Sequence, residues 1–161
     1  MNNELPSLAF QQSNDIESHY EDPVNTPEDL TNSLIAWEYL TDQDRITPEI
    51  IETIHWLITK NSLPKGDRGV LRSRNGYEVS VGGRNGLTWR AVQNAIEEWI
   101  AYMPARTPKD SHIAYEKIHP FVDGNGRSGR MLYYWQLNKI GELNADTIIY
   151  DKDRNEYYQW F

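Results

Sequence analysis

Between His119 and Arg130 the chain reads His-Pro-Phe-Val-Asp-Gly-Asn-Gly-Arg-Ser-Gly-Arg. Few stretches of this length carry so many groups able to do chemistry. His119 titrates near neutrality and can take a proton from an attacking hydroxyl. Asp123 suits a hard cation such as Mg²⁺, which takes one or two carboxylates and completes its shell with substrate phosphates. Gly124, Asn125 and Gly126 lead into an apolar run, Met131, Leu132, Tyr134, Trp135 and Leu137, that reads as a helix stopped by Gly141. A glycine-rich loop opening a helix presents unpaired N–H groups to an anion. Arg127 and Arg130, three residues apart, project from about the same helix face, and their forked donors match phosphate oxygens. Base, metal ligand, anion nest and cationic clamp together point to nucleotide-phosphate chemistry with an external hydroxyl as nucleophile.

The run resembles the signature of the Fic family (filamentation induced by cAMP), His-x-Phe-x-Asp/Glu-Gly-Asn-Gly-Arg-x-x-Arg. Every fixed position is present: His119, Phe121, Asp123, Gly124, Asn125, Gly126, Arg127 and Arg130. The preceding His112 to His119 is similar to the family's approach helix. The resemblance implies an all-α Fic fold, a helical bundle around the signature loop with a β-hairpin flap. It implies transfer of AMP from Mg·ATP to a Ser, Thr or Tyr hydroxyl of a target protein. On it, His119 is the base, Phe121 anchors the loop in the core, and Asp123 binds Mg²⁺. Gly124, Asn125 and Gly126 form the anion hole, and Arg127 and Arg130 hold phosphates. The phosphate-transferring branch carries Lys where Gly126 stands, so Gly126 favours nucleotidyl transfer.

The same resemblance gives meaning to two further stretches. Ser13 and Glu17 match the family's inhibitory motif Ser/Thr-x-x-x-Glu-Gly/Asn, with Ser18 in place of the final Gly/Asn, on an expected helix over 8–20. Glu17 delivered to Arg130 would form a charge-assisted pair and occupy the clamp that the γ-phosphate needs. Val70–Arg74 and Tyr77–Val81, around Asn75-Gly76 and closed by Gly82-Gly83, read as a hairpin with a type I′ turn. It spans about 69–83, where the family carries its flap, so Val79, Ser80 and Val81 are expected to pair with an extended target segment. Arg154-x-x-Tyr157-Tyr158 resembles a segment that lies near the nucleotide; these tyrosines either contact adenine or pack.

The elements that must position these groups are mostly helical. Thr26-Pro27, Thr47-Pro48 and Thr107-Pro108 each set a hydroxyl N-cap before proline at the first helical position. Helical stripes follow: Leu30, Leu34 and Trp37; Ile50, Ile51, Ile54, Leu57 and Ile58; Trp89, Val92, Ile96, Trp99, Ile100 and Met103. His55 lies in the second stripe and is expected to be packed.

With 161 residues, six Trp and ten Tyr, the chain has material for one packed domain over 1–161. A net charge of −8 argues against nucleic acid as the main partner, and no apolar run approaches the ~20 residues needed to span a membrane. Within 65–90, six cations against two carboxylates give +4, leaving −12 elsewhere, so a basic arm could meet phosphates or an acidic partner. The absence of cysteine excludes disulfides. With no signal peptide at the N-terminus, it fits a cytoplasmic setting, or delivery into a host cell. Exposed aromatic residues leave self-association and auto-modification open. Three other readings compete: removal of AMP by the same site, an idle nucleotide-sensing binding module, and a metal-dependent phosphohydrolase. Four histidines make a thin ligand set for the last.

Overall fold

The computed structural model describes residues 4–20 and 23–161. Eight α-helices account for most of them: α1 (Glu4–Glu17), α2 (Pro27–Thr41), α3 (Pro48–Ile58), α4 (Arg72–Asn75), α5 (Trp89–Tyr102), α6 (Pro108–Ile118), α7 (Asn125–Lys139) and α8 (Arg154–Tyr158). All three Thr-Pro pairs start helices as expected. Thr26 accepts from the N–H of Asp29 in a capping box, Thr47 from Ile50, and Thr107 from Asp110. The first helix begins earlier than the expected 8–20 and ends at Glu17.

The bundle is built around α7, in which Asn125 and every residue from Arg127 to Leu137 are buried. A helix closed off on all faces loses the one-sided apolar pattern of a surface helix. Helices α1, α2, α3 and α6 pack against it, and α5 packs on α6. From α3, Ile51 and Ile54 are fully buried, and from α5 so are Val92 and Ile96. Phe10 of α1 sits between Trp37 and Tyr134, with ring centroids 5.4 and 6.0 Å away. The first helix is therefore part of the core rather than an appendage.

The hairpin departs from expectation. Arg72–Asn75 is a helical turn, not a strand, and Gly76 caps it in the left-handed conformation (φ 74°), its N–H donating to the carbonyl of Arg72 at 2.9 Å. The antiparallel pair lies further on, β1 (Ser80–Val81) with β2 (Arg84–Asn85), Ser80 opposite Asn85 and Val81 opposite Arg84. Gly82 and Gly83, expected to end the hairpin, form its two-residue turn with φ of 57° and 76°. The cause is burial: Leu71 and Arg72 are both fully inside, which pins the segment to the core where a flap strand could not run. The small hairpin still lies between α3 and α5, the place expected for a flap. Among the described residues no helix is long and apolar enough to cross a membrane.

Gly69 is the tightest joint in this region. Its φ is +66°, and a Cβ there would stand 2.8 Å from the carbonyl oxygen of Glu52 and 2.9 Å from the Cβ of Trp56. Gly66 has open space and no left-handed φ. Gly69→Ala should therefore cost well over ~1 kcal/mol, whereas Gly66→Ala should be neutral or gain a few tenths, about 0.4–1 kcal/mol at most. Urea titration of both variants measures this, and equal midpoints would contradict it.

Candidate active site

Helix α6 ends on His119, which has φ 50° and ψ 65° and is the one non-glycine residue with positive φ among the described residues. Its N–H donates to the carbonyl of Tyr115 at 3.1 Å, and its Nδ1 lies 3.2 Å from the carbonyl of Glu116. A carbonyl can only accept, so Nδ1 carries the proton and Nε2 is left as the basic nitrogen. Burial holds the imidazole below its ordinary pKa, aided by the positive Arg72 and opposed by Glu17 and Asp123. His119 is thus neutral, and able to accept a proton, at neutral pH.

The loop that follows is anchored as expected at Phe121, which is fully buried and stacked on His55 with centroids 3.6 Å apart and planes within 5°. His55 does more than pack. Its Nδ1 accepts from the N–H of Gly69 at 2.9 Å and its Nε2 donates to the carbonyl of Asp123 at 2.8 Å. Only the neutral ring can do both, and burial lowers its pKa to about 4. The side chain of Asn125 turns inward: Oδ1 accepts from the N–H of Phe121 at 2.8 Å and Nδ2 donates to its carbonyl at 2.9 Å. Asn125 therefore closes the loop with its side chain.

Helix α7 starts at Gly124 (φ 80°) without a side-chain cap, and Asn125 and Gly126 line a cleft of about 790 Å³. Uncapped first-turn N–H groups facing a cleft make a place for an anion. His119, Asp123 and Arg130 line the same cleft, with Glu17, Glu116, Ser80, Val81, Tyr157, Tyr158 and Phe161 around them. One oxygen of Asp123 accepts from the N–H of Gly124 at 2.7 Å, which orients the carboxylate.

The two arginines part company. Arg127, expected beside Arg130 as a phosphate clamp, is buried away from the cleft and donates to the carbonyl of Ile58 and to Ser62 Oγ, both at 3.3 Å. Three residues along a helix leave side chains about 60° apart, and here that difference sends Arg127 to the C-terminal end of α3. Arg130 faces the cleft but is only 1 % exposed. Its Nε donates to Ser13 Oγ at 2.8 Å and its Nη2 to the Ser13 carbonyl at 3.2 Å and to Glu17 Oε1 at 2.5 Å. Its Nη1 reaches the Tyr157 hydroxyl at 3.4 Å. Burial works against the charge, but the Glu17 carboxylate with Tyr157 and Tyr158 together outweigh it and keep the guanidinium protonated. The Glu17 carboxylate also presses on Gly126, where a Cβ would collide with it.

Three further residues carry weight that the sequence did not announce. Glu116 borders the cleft with its carboxyl pushed up to about 7 by burial, Arg130 opposing and Glu17 adding. His112, buried beside Arg130, bonds through Nε2 to the Tyr157 hydroxyl at 2.7 Å. Arg72 is fully buried with its guanidinium on the signature loop. The apolar residues Val70 and Leu71 before Arg72 were the one hint of its burial.

Fold and site together define a helical, signature-loop protein with a cleft that joins a neutral histidine, an uncapped helix start and a buried arginine. The sequence profile of the Fic/DOC family matches residues 45–137. The chain belongs to that family. Solved structures agree in fold: Fic-1 from C. elegans (TM-score 0.77, 19 % identity, 99 % of this chain and 55 % of that one); and a Fic family protein from Desulfovibrio desulfuricans (TM-score 0.74, 18 % identity, 99 % of this chain and 57 % of that one). Part of the chain is similar to proteins named protein adenylyltransferase Fic. That from Nematostella vectensis is 34 % identical over 73 residues, 42 % of this chain and 17 % of its own length. That from Aedes aegypti is 31 % identical over 75 residues, 43 % and 15 % respectively. The matched segments thus span less than a fifth of these curated relatives.

The buried histidines make a prediction about acid. His55 and His112 are held at about 4 and about 3, and His119 below 6.5, mainly by burial, whereas burial raises Glu52 and Glu116. Between pH 6.5 and 4.5 the unfolded chain gains protons at His55 and His112, which the fold keeps neutral, and at His119 ahead of the folded chain. The fold retains extra protons at only two carboxyls, so stability should fall as pH drops. His55→Gln should flatten that fall by about 1.4 kcal/mol per pKa unit removed. Thermal unfolding across this range measures both, and a wild-type midpoint that rises on acidification would contradict the assignment.

Proposed function

We propose that this chain is a protein adenylyltransferase, moving AMP from Mg·ATP to a Ser, Thr or Tyr hydroxyl of a target protein, and held off in cis by Glu17. The observation that carries the reading is the occupancy of Arg130. A buried cation at the floor of an anion-binding cleft has its guanidinium engaged by Ser13, Glu17 and Tyr157. A γ-phosphate would need the same donors, so Glu17 and a productively seated triphosphate compete for one site.

Among the described residues no group of three or more His, Asp or Glu could cage a metal. A single oriented carboxylate suits an ion that arrives on phosphate oxygens, and Mg²⁺ is such an ion. Asp123 would hold it, and it would supply charge neutralisation for the phosphates. The target hydroxyl oxygen attacks the α-phosphorus, the bond from that phosphorus to the bridging oxygen breaks, and pyrophosphate leaves. The hydroxyl proton passes to Nε2 of His119. The N–H groups at the start of α7 stabilise the charge that gathers on the α-phosphate oxygens. Tyr157 and Tyr158 line the same cleft, and the more exposed Tyr158 is the one free to meet adenine. Positioning and electrostatics carry the rate.

The hairpin supports strand addition by the target. The Gly86 N–H donates to the Val79 carbonyl at 2.9 Å, and Val81 pairs with Arg84. Alternation then turns the backbone groups of Ser80 outward, toward an incoming strand.

Glu17→Gly incubated with Mg·ATP should gain the mass of AMP on itself or an added target, with wild type gaining less. His119→Ala in the same background should lose at least ~10²-fold in rate while still binding nucleotide. Intact-mass analysis reads this, and a Glu17→Gly chain that transfers no better than wild type would remove Glu17 from the account. Ser80→Pro should weaken target modification and spare ATP binding, because it deletes an outward N–H without touching the hairpin's own bonds. Equal loss of both would mean the hairpin serves only as a lid on the core.

A further inference from the structure

Arg72 has no role in the chemistry above, yet it is among the largest fully buried side chains of the described residues. Among the described residues its hydrogen bonds go to peptide carbonyls, and the nearby Glu78 carboxylate acts on it only through its charge. Nε donates to the carbonyl of His119 at 2.6 Å, Nη2 to that of Ile118 at 3.1 Å, and Nη1 to that of Tyr77 at 3.3 Å. Its own N–H donates to the carbonyl of Pro120 at 2.9 Å. Three consecutive carbonyls, 118 to 120, are thus caught by one residue at the point where α6 ends and the backbone turns left-handed at His119. A left-handed conformation is unfavourable for a side chain with a Cβ and persists only when its surroundings over-determine it. The fourth bond runs to Tyr77, three residues ahead of β1.

We propose that Arg72 is the positioning residue of the transfer reaction: its guanidinium, wedged between the flap and the signature loop, holds His119 in the left-handed turn that aims the imidazole into the cleft. This rests on the function proposed above. An arginine suits the task, because its planar fork reaches separate carbonyls at once, whereas a lysine ammonium is a point charge on a flexible stem. The same placement gives Arg72 an electrostatic hand on the base. The charged groups acting on His119 are Arg72 from α4, Glu17 from α1 and Asp123 from the loop, with the Glu116 carbonyl on its own helix holding Nδ1. Among them Arg72 is the cation, and it favours the neutral ring. Through Tyr77 the same guanidinium links that hold to the segment leading into the hairpin, so a target strand laid on β1 acts on a lever that ends at the base.

The test uses the intact chain. In wild type, the Arg72 Nε–H resonance should move with the titration midpoint of His119 between pH 4.5 and 8, and this response should vanish in His119→Ala. In the Glu17→Gly background, Arg72→Lys should lower kcat about tenfold or more while KM for ATP stays within about twofold. Arg72→Gln, which removes the charge, should raise the His119 midpoint and carry the acidic limb of the pH–rate profile to higher pH. An Nε–H signal blind to His119, or a folded Arg72→Lys variant with unchanged kcat, would overturn the proposal. If the variants do not fold, the wild-type resonance decides alone. A Glu17→Gly chain that moves no AMP would overturn adenylyl transfer instead, and the resonance would still decide whether Arg72 governs His119.

Discussion

The signature loop is largely buried, from Pro120 and Phe121 to Gly124, and such a loop has no helix or sheet ladder to satisfy its peptide groups. Each N–H and carbonyl must find a partner or cost on the order of 1–3 kcal/mol. Between Ile118 and Asp123 the partners are side chains and main chain sent in from other elements. Arg72 takes the carbonyls of Ile118 and His119, and its N–H takes that of Pro120. Asn125 takes both polar groups of Phe121, and His55 takes the carbonyl of Asp123. The loop is rigid because its hydrogen bonds are spread over α3, α4 and α7, and no single element can move without unpairing one of them. That constraint explains why an imidazole and an asparagine at the heart of the motif do structural work, and why the bundle is packed so closely around the start of α7.

Charge is distributed on the same logic. The interior holds two arginines near the base, and they are treated differently. Arg72 gives its donors to carbonyls and sets a positive charge beside His119, which adds to the burial that keeps the ring neutral against the pull of Glu17 and Asp123. Arg130 is given a carboxylate, Glu17, and this pair would be costly to break by removing one partner, because the other would stay buried and charged. A phosphate is the kind of anion that can replace Glu17 without leaving Arg130 alone. Glu116, whose carboxyl burial holds near 7, sits against this exchange and can stay protonated while two other anionic groups contend for one cation.

Much of this was legible in the chain. Thr-Pro pairs predict helix starts because hydroxyl capping and a fixed φ are local effects, and all three operate. The signature's His119, Asp123, Asn125, Gly126 and Arg130 line one cleft, and Ser13 and Glu17 reach Arg130 as their spacing on one helix requires. What could not be read was decided by tertiary context. Asn75-Gly76 supports any glycine with positive φ, and a helix C-cap needs one as much as a type I′ turn does. Only the burial of Leu71 and Arg72 chose between them. Arg127 and Arg130 look equivalent in sequence, but one faces the end of α3 and the other the cleft. Arg72 looked like one more cation in a basic arm, because nothing local says that three carbonyls wait for it.

The depth at which α1 is set limits how the Glu17 contact can be relieved. Phe10, Ile16 and Ala9 are at most 2 % exposed, and Ser13 is as deeply placed. Fully burying Phe or Ile contributes roughly 1.5–3 kcal/mol each, so peeling the helix away would spend a large part of a domain's stability of about 5–15 kcal/mol. Glu17 itself lies in the last turn and its side chain is 17 % exposed, beside a glycine that leaves the cleft open to it. Swinging one carboxylate out of the cleft exposes little apolar surface, and its main cost is the ion pair, which an incoming phosphate restores. The energetics therefore favour a helix that stays docked while its terminal carboxylate gives way, with Ser13 still holding the guanidinium in place.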